Sequence, residues 1–334
     1  MKALLDRLKN EALIRDFSQR KVTFSHLSLM QEALLVASSF KFYPQNMIII
    51  KSNLYQAQHL VEKLQLWLQD DVLLYAAEES LRVEAIAASP ELNVGRIDVL
   101  SRVQKEAFKV VVTHVGAFLR YLPPAQQFQN LTINIKLNQV IQPMLLFEQF
   151  RQMGYTETNR VDQPCTVAHR GGIIDIFPVN SEIPIRLEFF DNEIESIRSF
   201  DLSTQHSIEA LESITVQPAS DLLFTQEEIS FLETKLAKLV SEREGKEGTE
   251  LLKETLENDL ELMRLKLKEN HLYRYRALLD NSQTLIDYVK DPLVIASTLE
   301  DVKEHNTILH EETRSKSTRL NSSHSDRSRM PSSA

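Results

Sequence analysis

Three short apolar runs constrain this chain more than any other feature of its sequence. Met47-Ile48-Ile49-Ile50, Val72-Leu73-Leu74-Tyr75 and Lys109-Val110-Val111-Val112-Thr113 read as strands buried on both faces. Between them the spacing changes to that of a helix. Leu60, Leu64 and Trp67 mark one helix from Tyr55 to Trp67, and a second lies around Arg96 to Phe108. Strands that alternate with helices predict a parallel sheet, so residues 1–125 are expected to form an α/β domain with the pattern of a nucleotide-binding fold.

The rhythm breaks at Pro123-Pro124. From about Leu131 to Val216 strands and turns dominate: Leu131 to Ile135 alternates apolar and polar, and strand signals recur at Thr166 to Ala168, Gly172 to Phe177 and Ile185 to Phe190. Pro143 to Met153 is helical, and Gly154-Tyr155 ends it. A small antiparallel sheet with one helix is expected over 126–225. Leu252, Leu256, Leu260, Met263 and Leu267 then repeat at helical intervals, and the break at Gly245 to Gly248 separates them from Leu232, Leu236 and Leu239. This predicts an antiparallel helical pair whose apolar stripes pack on their own domain rather than forming a coiled coil with a partner. Pro292 to Ala296 reads as a strand returning to the first sheet, which closes a third segment over 226–314. Residues 315–334 are Ser- and Arg-rich without periodicity and are expected to be disordered. Their run Ser317 to His324 resembles translated adapter sequence more than a native basic arm. The fold class is thus mixed α/β and α+β.

Composition excludes several functions. Every apolar run is far shorter than a membrane span, and Asp6, Arg7 and Lys9 interrupt the N-terminus before any signal peptide could form. A cytoplasmic location is expected. Cys165 is the one cysteine, so neither a disulfide nor a cysteine zinc site can form. The net charge of -9 argues against a chain that coats nucleic acid. No histidine pair has the spacing of a metal helix. His114, at a strand end, has no carboxylate, serine or cysteine placed by sequence to work with it. Asp70-Asp71 and Glu78-Glu79 read as solvated turns. A phosphate loop needs glycines and a lysine, but the chain has seven glycines, none before Gly95. Its Gly245-Lys246 pair is followed by Glu247 where a magnesium-binding hydroxyl would be required. No catalytic residue, cofactor site or metal site is expected.

The most informative stretch runs from Gly154 to Ser207. It contains Arg170-Gly171-Gly172-Ile173-Ile174-Asp175-Ile176-Phe177-Pro178, Pro184 to Asp191, Glu193 to Asp201 and Thr204-Gln205-His206-Ser207. These residues resemble the UvrB interaction domain of bacterial transcription-repair-coupling factors. Asn53 to Ala57, Leu73 to Tyr75, Ala88 to Leu92 and Leu122 to Pro124 extend the resemblance over about residues 20 to 310. It implies a degenerate RecA-like domain with an inserted docking domain. Coupling factors have a degenerate phosphate loop, and Phe24 to Met30 has lost even its glycines. The related excision-repair protein UvrB keeps that loop and a long hairpin, so a UvrB-like, ATP-dependent repair protein is the disfavoured alternative. One departure is local: Pro164-Cys165-Thr166-Val167-Ala168-His169-Arg170 stands where the family has Pro-Gly-Glu-Phe-Ala-Val-Arg, which puts a cysteine at a turn suited to glycine.

The resemblance implies a truncated adaptor that recruits UvrA, the damage-sensing ATPase of excision repair, to stalled transcription complexes. RNA polymerase, DNA and the helicase motor would be engaged only through parts outside this chain. The positions matching the family's sensor-binding residues are Arg170, Arg186 and Phe190. Strand alternation supports the choice: Arg186, Glu188 and Phe190 share one face, while Ile185, Leu187 and Phe189 point to the other as core. The competing reading pairs Arg186 with Glu188 and uses Phe190 to cap a small core.

Overall fold

The computed structural model describes residues 8, 11–20, 24–77, 90–265, 267, 269–296, 299–308 and 311. These gather into two compact units. One draws on Met1–Ala85, Glu106–Arg120 and Val289–Ala334, the other on Ile86–Lys105 and Tyr121–Tyr288. Glu78-Glu79, Ala88-Ser89 and the 315–334 tail lie outside the described residues.

In the first unit, helices α1 (Ala12–Ser18) and α2 (Leu29–Phe42) precede β1 (Met47–Lys51), α3 (Leu54–Leu68), β2 (Val72–Tyr75) and β3 (Val110–His114). The sheet is wholly parallel, with β1 between β3 and the returning strand Leu293–Ala296, and β2 at the far edge. All five residues of β1 are buried, which explains why its sequence does not alternate. Ile49, Val110, Val112, Leu60 and Leu64 form the centre of the core. Asn46 fixes the entry of three segments: its Oδ1 accepts from the Lys109 amide at 3.1 Å, its Nδ2 donates to the Lys290 carbonyl at 2.8 Å, and its own carbonyl accepts from the Leu293 amide at 2.8 Å.

The second unit begins with α4 (Pro90–Lys105). Although the sequence sets this helix between two strands of the first unit, it buries Ile97, Leu100 and Val103. Its Arg96 pairs with Asp221 at 2.9 Å, with both side chains buried. Next comes β4 (Ile133–Lys136), and then α5 (Pro143–Met153), which ends at Gly154 with a φ of 107°. Strands β5 (Thr156–Glu157), β6 (Thr166–Arg170), β7 (Ile173–Ile176), β8 (Ile185–Phe190), β9 (Glu193–Phe200) and β10 (Ser207–Ala210) form a six-stranded sheet in the order β10-β9-β8-β7-β6-β5. It is antiparallel except at the edge, where β5 runs parallel to β6. β11 (Ser213–Val216) pairs separately with β4. One face of the large sheet packs Val167, Ile174, Ile176, Ile185, Leu187, Ile194 and Ile197 against Leu146, Phe147 and Phe150 of α5. Helices α6 (Gln226–Ser241) and α7 (Thr249–Arg264) follow. Leu232, Leu236, Leu260 and Met263 share one cluster with Leu272 and Leu279, so these members of the stripes form the core of a helical hairpin, while Leu239 and Leu267 are exposed. Among the described residues no helix is long and apolar enough to cross a membrane.

Candidate functional site

The face of the six-stranded sheet turned away from α5 is built by strand alternation. On β8, Ile185 and Leu187 enter the core, while Arg186, Glu188 and Phe190 face outward. Cross-strand registers continue the outer face as rows: Ala168, Asp175, Arg186 and Arg198 in one, and Arg170, Ile173, Glu188 and Ser196 in the next. A register shift between Glu188 and Phe189 sets Phe190 opposite Glu193, and Val140 bridges Glu193 from the other side. Phe190 is 71% exposed and therefore caps no core. Val140 is also exposed. Two hairpin turns frame this corner. Gly171 has a φ of 59°, which strains any L side chain although the space there is open, and a β-carbon at Gly172 would come to 3.0 Å from the Phe189 carbonyl oxygen. The other turn, Asp191-Asn192, places Asp191 at a φ of 54°.

Arg186 does not pair with Glu188, as the competing sequence reading had it. Its Nε and Nη2 donate to the two carboxylate oxygens of Asp175 at 2.7 and 2.8 Å, and Nη2 also donates to Oε1 of Gln205 at 3.3 Å. The guanidinium lies 4.7 Å from the centre of the Phe200 ring. The hydrogen bonds that Arg186 donates to Asp175 raise its ionisation above the ordinary value, so the group stays charged. Glu188 instead faces Arg198, at 3.6 Å. Arg170 stands exposed at the end of β6, where its Nη2 donates to the Asn159 carbonyl. The structure therefore brings Arg170, Arg186 and Phe190 onto one outward face. Asp175, Gln205 and Phe200 around Arg186 were not identified from sequence. Asp175 could have been, because it is the lone charge between Ile174 and Ile176 on a strand that must pair with β8.

Part of this face is covered by the loop after β9. Leu202 packs on Val161, Ala168 and Phe177. The loop is knotted by Asp201, whose Oδ1 accepts from the amide and hydroxyl of both Ser203 and Thr204 at 2.5 to 3.1 Å. The Ser203 hydroxyl, followed by the Thr204 amide and hydroxyl, lowers the Asp201 carboxyl to about 2. Because the folded value lies below the unfolded one, this stabilisation is complete above roughly pH 4 and is lost as pH falls through about 2. A carbon-detected carboxyl titration is expected to place the Asp201 midpoint near 2, and Asp201→Asn to remove the loop's acid dependence. A midpoint near 3.8, the ordinary value, would contradict the knot.

The turn before β6 has the geometry that the sequence makes awkward. Cys165 adopts a φ of 66°, and it does so while joining three strands: its amide donates to Phe177 and its carbonyl accepts from Thr156, both at 2.9 Å.

In the first unit, α2 starts within Phe24 to Met30, the stretch where the resemblance implies a degenerate phosphate loop. Ser28 and Gln31 cap it reciprocally, Gln31 Oε1 accepting from the Ser28 amide at 2.9 Å and Ser28 Oγ from the Gln31 amide at 3.4 Å. Glu32, in the same first turn, takes Nζ of Lys51 at 2.8 Å, and both side chains are largely buried. The Ser28 and Gln31 amides at this helix start are thus occupied, and a carboxylate stands beside them. His114 is buried, with Nε2 3.0 Å from the Ala77 carbonyl, which suits a structural tie. Asp71 pairs with Lys109 at 2.8 Å. Among the described residues no group of three His, Cys, Asp or Glu is placed to hold a metal ion.

Residues 133–222, which include the α-backed six-stranded sheet with its arginine- and phenylalanine-bearing outer face, match the family model of the UvrB interaction domain. The wider chain is 34% identical over 271 residues to a transcription-repair-coupling factor of Bacillus subtilis, covering 79% of this chain and 23% of that protein. Relatives of the same name from Staphylococcus aureus (strain MRSA252) and Staphylococcus epidermidis are 29% and 26% identical over 300 and 299 residues, each match covering 86% of this chain and 25% of the relative. The chain belongs to the transcription-repair-coupling factor family, and it spans about a quarter of the length of these relatives.

Proposed function

We propose that this chain is a docking module of transcription-coupled repair, which recruits UvrA to stalled transcription complexes through the outer face of its six-stranded sheet. The observation that carries the reading is the exposure of Phe190 on a face that also presents Arg186 and Arg170. An aromatic and arginines on one face are the residue types that concentrate binding energy at protein interfaces. Mixing the chain with purified UvrA and following complex formation by calorimetry tests it. Saturable binding that weakens on substitution of these three residues supports the reading, and absence of binding overturns it.

An ATP-dependent repair protein is the other reading, and the capped start of α2 with its Glu32–Lys51 ion pair disfavours it. Equilibrium dialysis against labelled ATP is expected to show no magnesium-dependent retention by the chain. Micromolar binding would reveal a nucleotide site that this geometry does not provide.

A further inference from the structure

We propose that Asp175 and Gln205 are positioning residues for Arg186, and that Arg186 meets its partner through Nη1 alone, with a neutral acceptor such as a main-chain carbonyl rather than a carboxylate. This rests on the reading of the sheet face as a docking surface. An arginine on such a face is ordinarily expected to clamp a partner's carboxylate with its two-pronged edge. Here that edge is already used, since Nε and Nη2 both donate to Asp175 at 2.7 and 2.8 Å. The second N-H of Nη2 goes to Gln205 at 3.3 Å. Of the five guanidinium donors, the two on Nη1 remain for a partner. The side chain is 20% exposed, enough for one nitrogen to be reached. A partner carboxylate arriving there would have to approach Asp175 as well, and the repulsion between the two would offset its attraction to the guanidinium.

Gln205 is held as a positioning group would be. Its backbone is in the left-handed region at a φ of 62°, and its amide donates to the Asp201 carbonyl at 2.8 Å. Its Nε2 donates to the Leu202 carbonyl at 3.0 Å, so its side-chain oxygen is the end turned to Arg186. A non-glycine residue keeps such a backbone only where its surroundings over-determine it, and the Asp201 knot supplies that constraint. Arg170 differs, because its hydrogen bond is to a neutral carbonyl, that of Asn159. Among the described residues Arg170 is in no ion pair, so it suits an acidic group of the partner, while Arg186 serves as a fixed, charge-balanced donor.

The test measures binding of the chain to purified UvrA across a salt series, for wild type, Arg170→Ala, Arg186→Ala, Gln205→Ala, Asp175→Asn and the double variants with Arg186→Ala. Arg186→Ala is expected to weaken binding about 30-fold, and the double variant with Asp175→Asn, which removes both charges of the pair, to keep the wild-type slope against salt, whereas Arg170→Ala flattens that slope. Gln205→Ala and Asp175→Asn are expected to weaken binding several-fold alone and to have no further effect in the Arg186→Ala background. Gln205→Ala lies in a surface loop and keeps the cycle readable if Asp175→Asn unfolds the sheet. Effects that add to Arg186→Ala, or a flattened salt slope for the double variant Arg186→Ala with Asp175→Asn, overturn the inference while leaving the docking reading intact. Wild-type chain that fails to bind UvrA removes the docking reading and the inference with it.

Discussion

Phe190→Ala is expected to weaken binding to UvrA by at least ~2 kcal/mol, about thirty-fold, while leaving the melting temperature unchanged. The two halves of this expectation have separate causes. The ring is 71% exposed and lies outside the core cluster beneath β8, so truncating it opens no cavity and removes little folded-state contact. In a complex the same ring would lose most of its exposure, and an aromatic buried at the centre of an interface is among the most costly side chains to truncate. Calorimetric titration and a thermal melt on one preparation read both halves. A large fall in melting temperature would mean that Phe190 belongs to the fold, and unchanged binding would mean that the docking face lies elsewhere.

Glu228→Ala is expected to have the largest effect on folding, roughly 3–5 kcal/mol, because it leaves a buried cation uncompensated. One carboxylate serves three elements. Its Oε2 accepts from the Thr225 amide at 2.9 Å and completes the cap of α6. Its Oε1 accepts from Nη1 of Arg276 at 2.7 Å and from Nδ2 of Asn281 at 2.9 Å. Arg276 is fully buried, with its guanidinium 5.3 Å from the Phe224 ring, so alanine at 228 strips the charge partner from a group water cannot reach. For a unit of this size the loss corresponds to a melting-temperature drop of about 10 °C. Glu228→Gln, which keeps an acceptor oxygen without the charge, is expected to fall between wild type and alanine. A drop of only one or two degrees for Glu228→Ala would show that Arg276 reaches water or another acceptor.

The parallel sheet was legible because its strands are buried on both faces, and β1 and β3 read as unbroken apolar runs. The return of Leu293–Ala296 to β1 was legible from its apolar run, although as an edge strand it buries only Leu293. Strands β9 and β10 were less so. Glu193–Phe200 alternates imperfectly around a register shift, and all four residues of β10 are exposed, so no apolar period marks it. On β8 the alternation was clean and gave the outward face of Arg186 and Phe190 directly. The partner of Arg186 was missed, because Asp175 lies eleven residues away and meets it only through the pairing of β7 with β8, so its lone charge on β7 was the one signal for it. Glu188 was nearer in sequence, but it reaches diagonally across the β8–β9 pairing to Arg198, at 3.6 Å. The membership of α4 in the second unit was hidden similarly, since its contact with Asp221 spans 125 residues.

If UvrA binds the outer face at the β6–β7 and β8–β9 turns, amide hydrogen exchange of the chain, alone and saturated with UvrA, reads it most directly. Slowed exchange is expected to concentrate at residues 170–173 and 186–193, with the first unit unchanged. Protection confined to the first unit or to the helical hairpin, with the 186–193 amides exchanging as in the free chain, would contradict docking at this face.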